Sequence, residues 1–450
     1  MKTNRRNFLK SLSGGAFLLG SGLAPRIARA QAQGVDRSFI FAYFSGGWDT
    51  LLCLDPRDPG VFSESRITDT KIQLAWDRIP NTFDQSIIQP SGSNIEFGPV
   101  MGGIANHYDK LSIVRGISMD TVTHEVGRRY MITGMTPRGL NAAGSAMGTR
   151  IAAAQGDVLS IPSLVSRSET YNEGDPSFAS GLSVNGADDL VLTLQDGSKA
   201  PRGAIRTRLD EYRARVKDCD PAALNNTGLY SLIRETQTKA RGLVTSGIAN
   251  LFNFNDMSNP DIANLRMRYG ITNNFNANNS AAQAALAFQA IRHNVAQTVS
   301  IEIASGLDTH DENWADDHAN TLASGFNALG QLVTDLASTN DEIRGGKLLD
   351  HTTIVAFSEF GRTALLNTRD GRDHSLTSAA MLIGAGVPKN KVIGASSDVG
   401  MNPLPINAQT GAVEEGGVTL TPNNLMASIM ESAGYDTDKL RTDGIPALMS

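Results

Sequence analysis

A layered α/β fold with a mostly parallel central sheet is predicted by three features of the sequence. Short β-branched or aromatic runs recur along the chain and end in glycine or polar turns. An amphipathic helix lies between two of these runs. A second helix leads directly into another, so strands and helices alternate as in βαβ units.

The runs cover residues 39–44, 111–114, 299–304, 352–357 and 381–383. Nearly every position in them is apolar, as expected of strands covered on both faces. Between the third and fourth runs, Leu322, Phe326, Leu329, Val333 and Leu336 follow at spacings of four, three, four and three. That rhythm places one apolar stripe against a sheet. Residues 281–297 read as the helix feeding the strand at Val299. The stretch from about 155 to 280 is different, being rich in Asn, Ser, Gly and Asp. It is expected to be an inserted cap at one side of the sheet, with a strand at 190–194, helices near 203–217 and 230–251, and a surface loop at 273–280. No internal repeat is visible.

The N-terminus carries an export signal. Arg5-Arg6-Asn7-Phe8-Leu9-Lys10 precedes an apolar, Gly-rich run at 14–23, and Ala28-Arg29-Ala30 supplies a small-x-small cleavage site. The run is broken by Gly20 and Gly22 and falls short of the ~20 apolar residues that a spanning helix needs. Residues 1–30 are therefore expected to be a twin-arginine signal peptide cleaved after Ala30, with residues 31–450 forming one α/β domain. The expected address is periplasmic or secreted, the expected partner during export is the twin-arginine translocase, and no permanent membrane anchor is expected.

Composition narrows the function. Removing residues 1–30 takes six of the 40 Lys and Arg and none of the 46 Asp and Glu, leaving 34 against 46 and a formal charge of −12. So acidic a chain argues against nucleic acid as a partner. The basic segment 202–217 interleaves Arg206, Arg208, Arg213 and Arg215 with Asp210 and Glu211, which reads as a solvated helix face. Cys53 and Cys219 are the two cysteines. They form no disulfide framework, and a bridge between them is not expected.

In open α/β sheets, functional groups collect just past the carboxyl ends of strands. Residue 44 is followed by Ser45-Gly46-Gly47-Trp48-Asp49, where Asp49 is either a ligand or an ordinary cap of the next helix. Beyond residue 304 stand Asp308-Thr309-His310 and then Asp311, Asp316, Asp317 and His318. A carboxylate and an imidazole two residues apart suit a divalent metal. His318 falls on the buried helix stripe and reads equally as a structural histidine, and Asp311 as an N-cap. After residue 357 come Ser358-Glu359-Phe360-Gly361-Arg362 and, shortly beyond, Asp373-His374. Glu359 and His374 are candidate ligands, and Arg362 is a candidate clamp for an anion. Gly384-Ala385-Gly386 is not a dinucleotide loop, because Pro388 follows where a helix would begin. The chain has no Walker loop, Cys-x-x-Cys pair or Gly-x-Ser-x-Gly elbow.

Gly46-Gly47-x-Asp49, His124 ahead of Thr133-Gly134, Asp308-Thr309-His310, Ser358-Glu359-Phe360-Gly361-Arg362 and Asp373-His374, in this order, resemble domain-of-unknown-function family 1501. Its members are often exported by the twin-arginine route and are grouped with the alkaline phosphatase and sulfatase clan. The resemblance implies a three-layer α/β/α sandwich like alkaline phosphatase, with up to two metals at the carboxyl edge of the sheet. It implies Asp49, Asp308, His310 and His374 as metal ligands, with Glu359 beside them. Glu359 and Phe360 stand where clan phosphatases have Asp and His, so one imidazole is missing and about one divalent ion per chain (Zn, Mn, Mg or Ca) is expected. Clan enzymes carry a hydroxyl nucleophile about ten residues before a Thr-Gly pair. Here that spacing lands on His124, with Thr123 beside it. His124 is thus a candidate nucleophile, ligand or general base, with Thr123 and Thr121 as alternative nucleophiles. The resulting expectation is an exported metal-dependent hydrolase of phosphate or sulfate esters acting on a small anionic substrate. Its rival is a catalytically silent alkaline-phosphatase-like binding or assembly protein of the cell envelope.

Because the export route reads the arginine pair itself and not positive charge, replacing Arg5 and Arg6 together by lysine should hold the precursor in the cytoplasm. Fractionation followed by immunoblotting checks this. Normal periplasmic appearance of the double variant would refute the signal.

Overall fold

The computed structural model describes residues 36–450 apart from 160, 198–199, 217–228 and 273–274. The segment 1–30 expected to be an export signal and Cys219 lie outside the described residues. Cys53 is buried with a free thiol.

The strands are β1 (Ser38–Ser45), β2 (Leu111–Ser118), β3 (Ile161–Ser166), β4 (Leu182–Val184), β5 (Ala296–Ser305), β6 (Thr352–Phe357), the short β7 (Gly361–Arg362) and β8 (His374–Ser375), β9 (Thr377–Gly384) and β10 (Lys391–Ile393). Eight of them form one sheet in the order β10-β2-β9-β6-β1-β5-β3-β4, while β7 and β8 make a separate small ladder. Within the large sheet β9 alone runs against its neighbours, β2 and β6. β1 is central, with Ile40 opposite Val299 of β5 and Ile354 of β6.

Period-two alternation along β1 divides the core. Ile40, Ala42 and Phe44 face a layer that includes the helices Ser280–Arg292 and Asp317–Ser338. Phe39, Phe41 and Tyr43 face the helices His124–Thr133, Met147–Gln155 and Pro422–Ser432. The molecule is therefore a three-layer α/β/α sandwich, as expected. Leu322, Phe326, Leu329, Val333 and Leu336 are all fully buried. Phe326 packs its ring 4.8 Å from that of Phe44.

The cap expected between 155 and 280 is partly sheet. β3 pairs with β5, and β4 pairs with β3, both in parallel, so the large sheet runs through this segment. Pro162, Ser163 and Ser166 in β3 disguise it as loop, because proline and serine are poor strand formers. The strand expected at 190–194 is instead the end of a helix, Ala187–Leu194. Asp188 and Asp189 suit the positive end of the helix dipole, and Leu190, Val191 and Leu194 form one buried stripe. The basic segment forms a helix, Gly203–Val216, in which Arg206 pairs with Asp196 and Arg213 with Asp210. Among the described residues, no helix is long and apolar enough to cross a membrane.

The Phe326→Ala substitution removes a ring that bridges helix and sheet. It should cost about 3–5 kcal/mol of unfolding free energy, seen as a lower denaturant midpoint with an unchanged m-value.

Candidate metal centre

The loops after β1, β5 and β6 meet at one edge of the sheet because their backbones nearly touch. Gly46 has φ +116°, and a Cβ there would lie 2.5 Å from the Asp308 amide nitrogen. Only glycine tolerates both the conformation and the approach. Ser358 accepts hydrogen bonds from Gly47 N and Trp48 N and donates to the Phe44 carbonyl at 2.6 Å, so the β6 loop is sewn to the β1 turn. The His124–Thr133 helix closes on the same point. A Cβ on Gly127 would stand 2.6 Å from the Glu359 carbonyl oxygen.

Three imidazoles converge there on a single carboxylate oxygen. The Nε2 atoms of His310, His374 and His124 lie 2.9, 3.1 and 3.2 Å from Asp308 Oδ1. Each ring is oriented from behind through Nδ1: His124 by Glu359 Oε1 at 2.8 Å, His310 by Asp373 Oδ1 at 2.8 Å, and His374 by the Val122 carbonyl at 2.7 Å. All three partners accept hydrogen bonds, so every Nδ1 carries the proton, and in the neutral ring every Nε2 presents a lone pair. Four electron-rich atoms thus face one another, with His310 and His374 Nε2 only 3.0 Å apart. His124 Nε2 is buried without a hydrogen-bond partner.

A cation resolves this arrangement, and imidazoles backed by carboxylates or carbonyls form the usual second shell of a metal-bound histidine. His124, Asp308 and His374 each offer one ligand atom, all within 4.8 Å of one another. His310 Nε2 sits against two of these atoms. The residues present therefore fit a divalent ion.

Charge in the site follows the same geometry. Partial burial disfavours ionised Asp308, but the hydrogen bond and charge of Arg362 outweigh it and hold the carboxyl well below the usual range. Burial likewise opposes ionisation of Glu359, and the His124 hydrogen bond overcomes it, so this acid too is held low. For His124, burial is again the largest effect. The Glu359 hydrogen bond and charge reverse it, raising the imidazole pKa. His374 is lowered, chiefly by burial.

Several expected roles change. Asp49 is not brought into the cluster. It caps a short helix through Leu51 N at 3.0 Å, and its other oxygen takes Trp314 Nε1 at 2.9 Å and Arg372 Nε at 2.7 Å, so both oxygens are occupied. Glu359 is fully buried and orients His124 while accepting from Gly46 N at 2.9 Å. Arg362, expected to clamp an anion, is itself consumed. Its guanidinium is fully buried and donates to the carbonyls of Gly46, Gly47 and Arg372, to Asp308 Oδ1 at 2.6 Å, and at 3.4 Å to His310 Nε2. Thr123 is the exposed N-cap residue of its helix, and its amide donates to Thr121 Oγ1. His318 is a buried structural histidine that accepts from Asp49 N at 2.9 Å, and Asp311 caps a short helix. Phe360 lies 4.8 and 4.5 Å, ring to ring, from His124 and His374.

Asp373 and Arg372 were not expected to matter. The adjacency of Asp373 to His374 was a signal for the first. Arg372 gave none, because its partner Asp49 lies more than 300 residues away in sequence.

Fold and site together define an α/β/α protein with a histidine-rich centre at the carboxyl edge of its sheet. The chain belongs to the family described as "Protein of unknown function (DUF1501)", which it matches over residues 36–444. A search of curated proteins finds no match. Two solved structures, "Crystal structure of Ps i-CgsB" and the same protein "in complex with k-i-k-neocarrahexaose", share 10% identity with it. Each match covers 92% of this chain and 75% of the other, with TM-scores of 0.37 and 0.38, a likeness too distant to carry an argument.

Asp49→Ala leaves the buried Arg372 guanidinium unpaired and should destabilise the fold by about 3–5 kcal/mol without reducing metal uptake. Calorimetric unfolding together with elemental analysis of the same preparation separates the two effects. Loss of metal in this variant would return Asp49 to the ligand set.

Proposed function

We propose that this chain is an exported, metal-dependent hydrolase of phosphate or sulfate esters. The observation that carries the reading is the convergence of three Nδ1-anchored imidazoles on Asp308 Oδ1. They meet at the half-open sheet edge where such folds place their chemistry. In this scheme His124, Asp308 and His374 hold the ion and His310 completes the set. Glu359, Asp373 and the Val122 carbonyl fix the rings. A donor set this rich in nitrogen favours Zn over Mg or Ca. A bound divalent ion would act as a Lewis acid on an ester oxygen and make water a better nucleophile.

The other roles follow from what remains accessible. Attraction of an anionic ester falls chiefly to the metal, since four of the five N–H groups of Arg362 are engaged on the Gly46, Gly47 and Arg372 carbonyls and Asp308 Oδ1, and only the one now facing His310 Nε2 would be released by metal binding. Thr123, exposed at the helix start beside His124, is the available hydroxyl. Export by the twin-arginine translocase and a periplasmic or secreted address rest on Arg5-Arg6 and the cleavage site at Ala30.

One observation favours a second reading, a catalytically silent binding or assembly protein. The arginine expected to clamp the anion is tied up within the protein, and no hydroxyl nucleophile is among the clustered side chains. Turnover of 4-nitrophenyl phosphate or 4-nitrophenyl sulfate by metal-replete protein decides between the two.

About one divalent ion per chain is expected on elemental analysis, lost in Asp308→Ala and in His374→Ala while the chain stays folded. Wild-type protein that takes up no metal sinks the metallohydrolase. Binding also has a defined pH dependence. The ion requires neutral imidazoles, and Glu359 raises the His124 pKa, so proton competition begins above the ordinary histidine range. Apparent affinity should fall as the pH drops from about 8 to 6. Glu359→Gln should weaken binding roughly 10–100-fold at neutral pH and move the onset of competition to lower pH.

A further inference from the structure

A second cavity, of about 450 Å³, opens on the Tyr43 face of the sheet, next to the histidine cluster. Tyr43 and Glu302 line it from adjacent strands, being Cα partners across β1 and β5. Arg167 and Glu169 come from the loop after β3, and Arg128 comes from the helix that begins at His124. One helical turn therefore separates a cavity residue from a residue of the metal cluster.

The charged groups of the wall neutralise one another. Arg167 donates to Glu302 Oε1 at 2.9 and 3.2 Å, and Arg128 pairs with Glu169. Two other polar atoms, on side chains within reach of each other and of Ser45 and Glu359, make no well-aligned hydrogen bond. The Tyr43 hydroxyl and Arg128 Nε are buried and lack such a bond, a condition native proteins rarely leave unrelieved. Arg167 is moreover held at φ +58°, a backbone state that costs energy for any residue with a side chain.

We propose that this cavity binds a neutral, polyhydroxylated ligand, of which a sugar ring is the simplest case. On the hydrolase reading, on which this second clause rests, that group is the organic part of the ester whose anionic end meets the metal. A hydroxyl both donates and accepts, so it can take an N–H from a guanidinium and give its proton to the neighbouring carboxylate without breaking their pair. An anionic ligand would face Glu169 and Glu302, and a cationic one would face Arg128 and Arg167. A neutral hydroxylated ligand meets neither conflict and supplies partners for Tyr43 and Arg128.

The test titrates the metal-replete mature protein calorimetrically with D-galactose, D-glucose and myo-inositol, with sodium sulfate as the charged control. Saturable binding of at least one of the three polyols is expected. Tyr43→Phe should leave the chain folded with its metal content unchanged, because the lost hydroxyl makes no well-aligned hydrogen bond in the protein, and should weaken polyol binding about tenfold. Ser183→Trp fills the cavity from the exposed edge strand β4 and should abolish it. Failure of all three polyols to bind wild-type protein overturns the proposal. So does binding that both variants retain, or a sulfate response that Ser183→Trp removes. Polyol binding by a protein that takes up no metal would uphold the cavity and sink the hydrolase. Esterase activity with no polyol binding would do the reverse.

Discussion

The candidate site depends on one buried guanidinium. Arg362 lies just past β6, its side chain fully buried, and donates at once to the turn after β1, to Asp308 after β5, and to the Arg372 carbonyl. Three loops that are distant in sequence are fixed to one another by a single planar fork. A buried arginine is tolerable only when every N–H is satisfied and a carboxylate balances the charge. Asp308 does the balancing, and this explains how a half-exposed aspartate comes to be held in one place with its oxygen toward three imidazoles. The geometry that positions this oxygen also uses the arginine's donors within the protein.

Two buried carboxylates in neighbouring loops show how the same problem is solved in opposite ways. Asp49 is neutralised by Arg372 and thereby becomes structural, with Trp314 and a backbone amide completing its shell. Glu359 meets an imidazole instead, and the pairing passes its charge through His124 toward the centre of the cluster. A lysine or arginine opposite Glu359 would have ended the matter inside the protein. A histidine carries the effect outward, because its second nitrogen becomes a stronger donor to a cation.

Much of the fold was legible in the sequence, because apolar runs and a helix stripe report burial directly. β1, β5 and β6 were each marked by such a run, and the helix stripe from Leu322 to Leu336 is buried at every predicted position. β3 was hidden because its pairing with β5, not its composition, makes it a strand, and Leu190–Leu194 misled because a short buried helical stripe and a short strand look alike. At the site, residue identity was legible and role was not. The motifs named Asp308, His310, His374, Glu359 and His124, all of which meet. They could not say that Glu359 stands behind His124 instead of facing the other three side chains, since ligand and orienting group differ only by which way a side chain points. Asp49 and Arg362 were misassigned for a related reason: their partners, Arg372 and the Gly46 and Gly47 carbonyls, are set by tertiary contact alone.

Phe360 fixes how far the cluster can extend. Its ring centroid lies within 5 Å of those of both His124 and His374, so the space beside them is occupied by an apolar ring. A second divalent ion would have to sit against carbon there, with no ligand to repay its lost hydration. The same ring lies against both histidines, whose orientation is set by Glu359 and the Val122 carbonyl. The aromatic residue thus leaves that side of the cluster without a donor atom, and a site for a single ion would follow from packing as much as from ligand count.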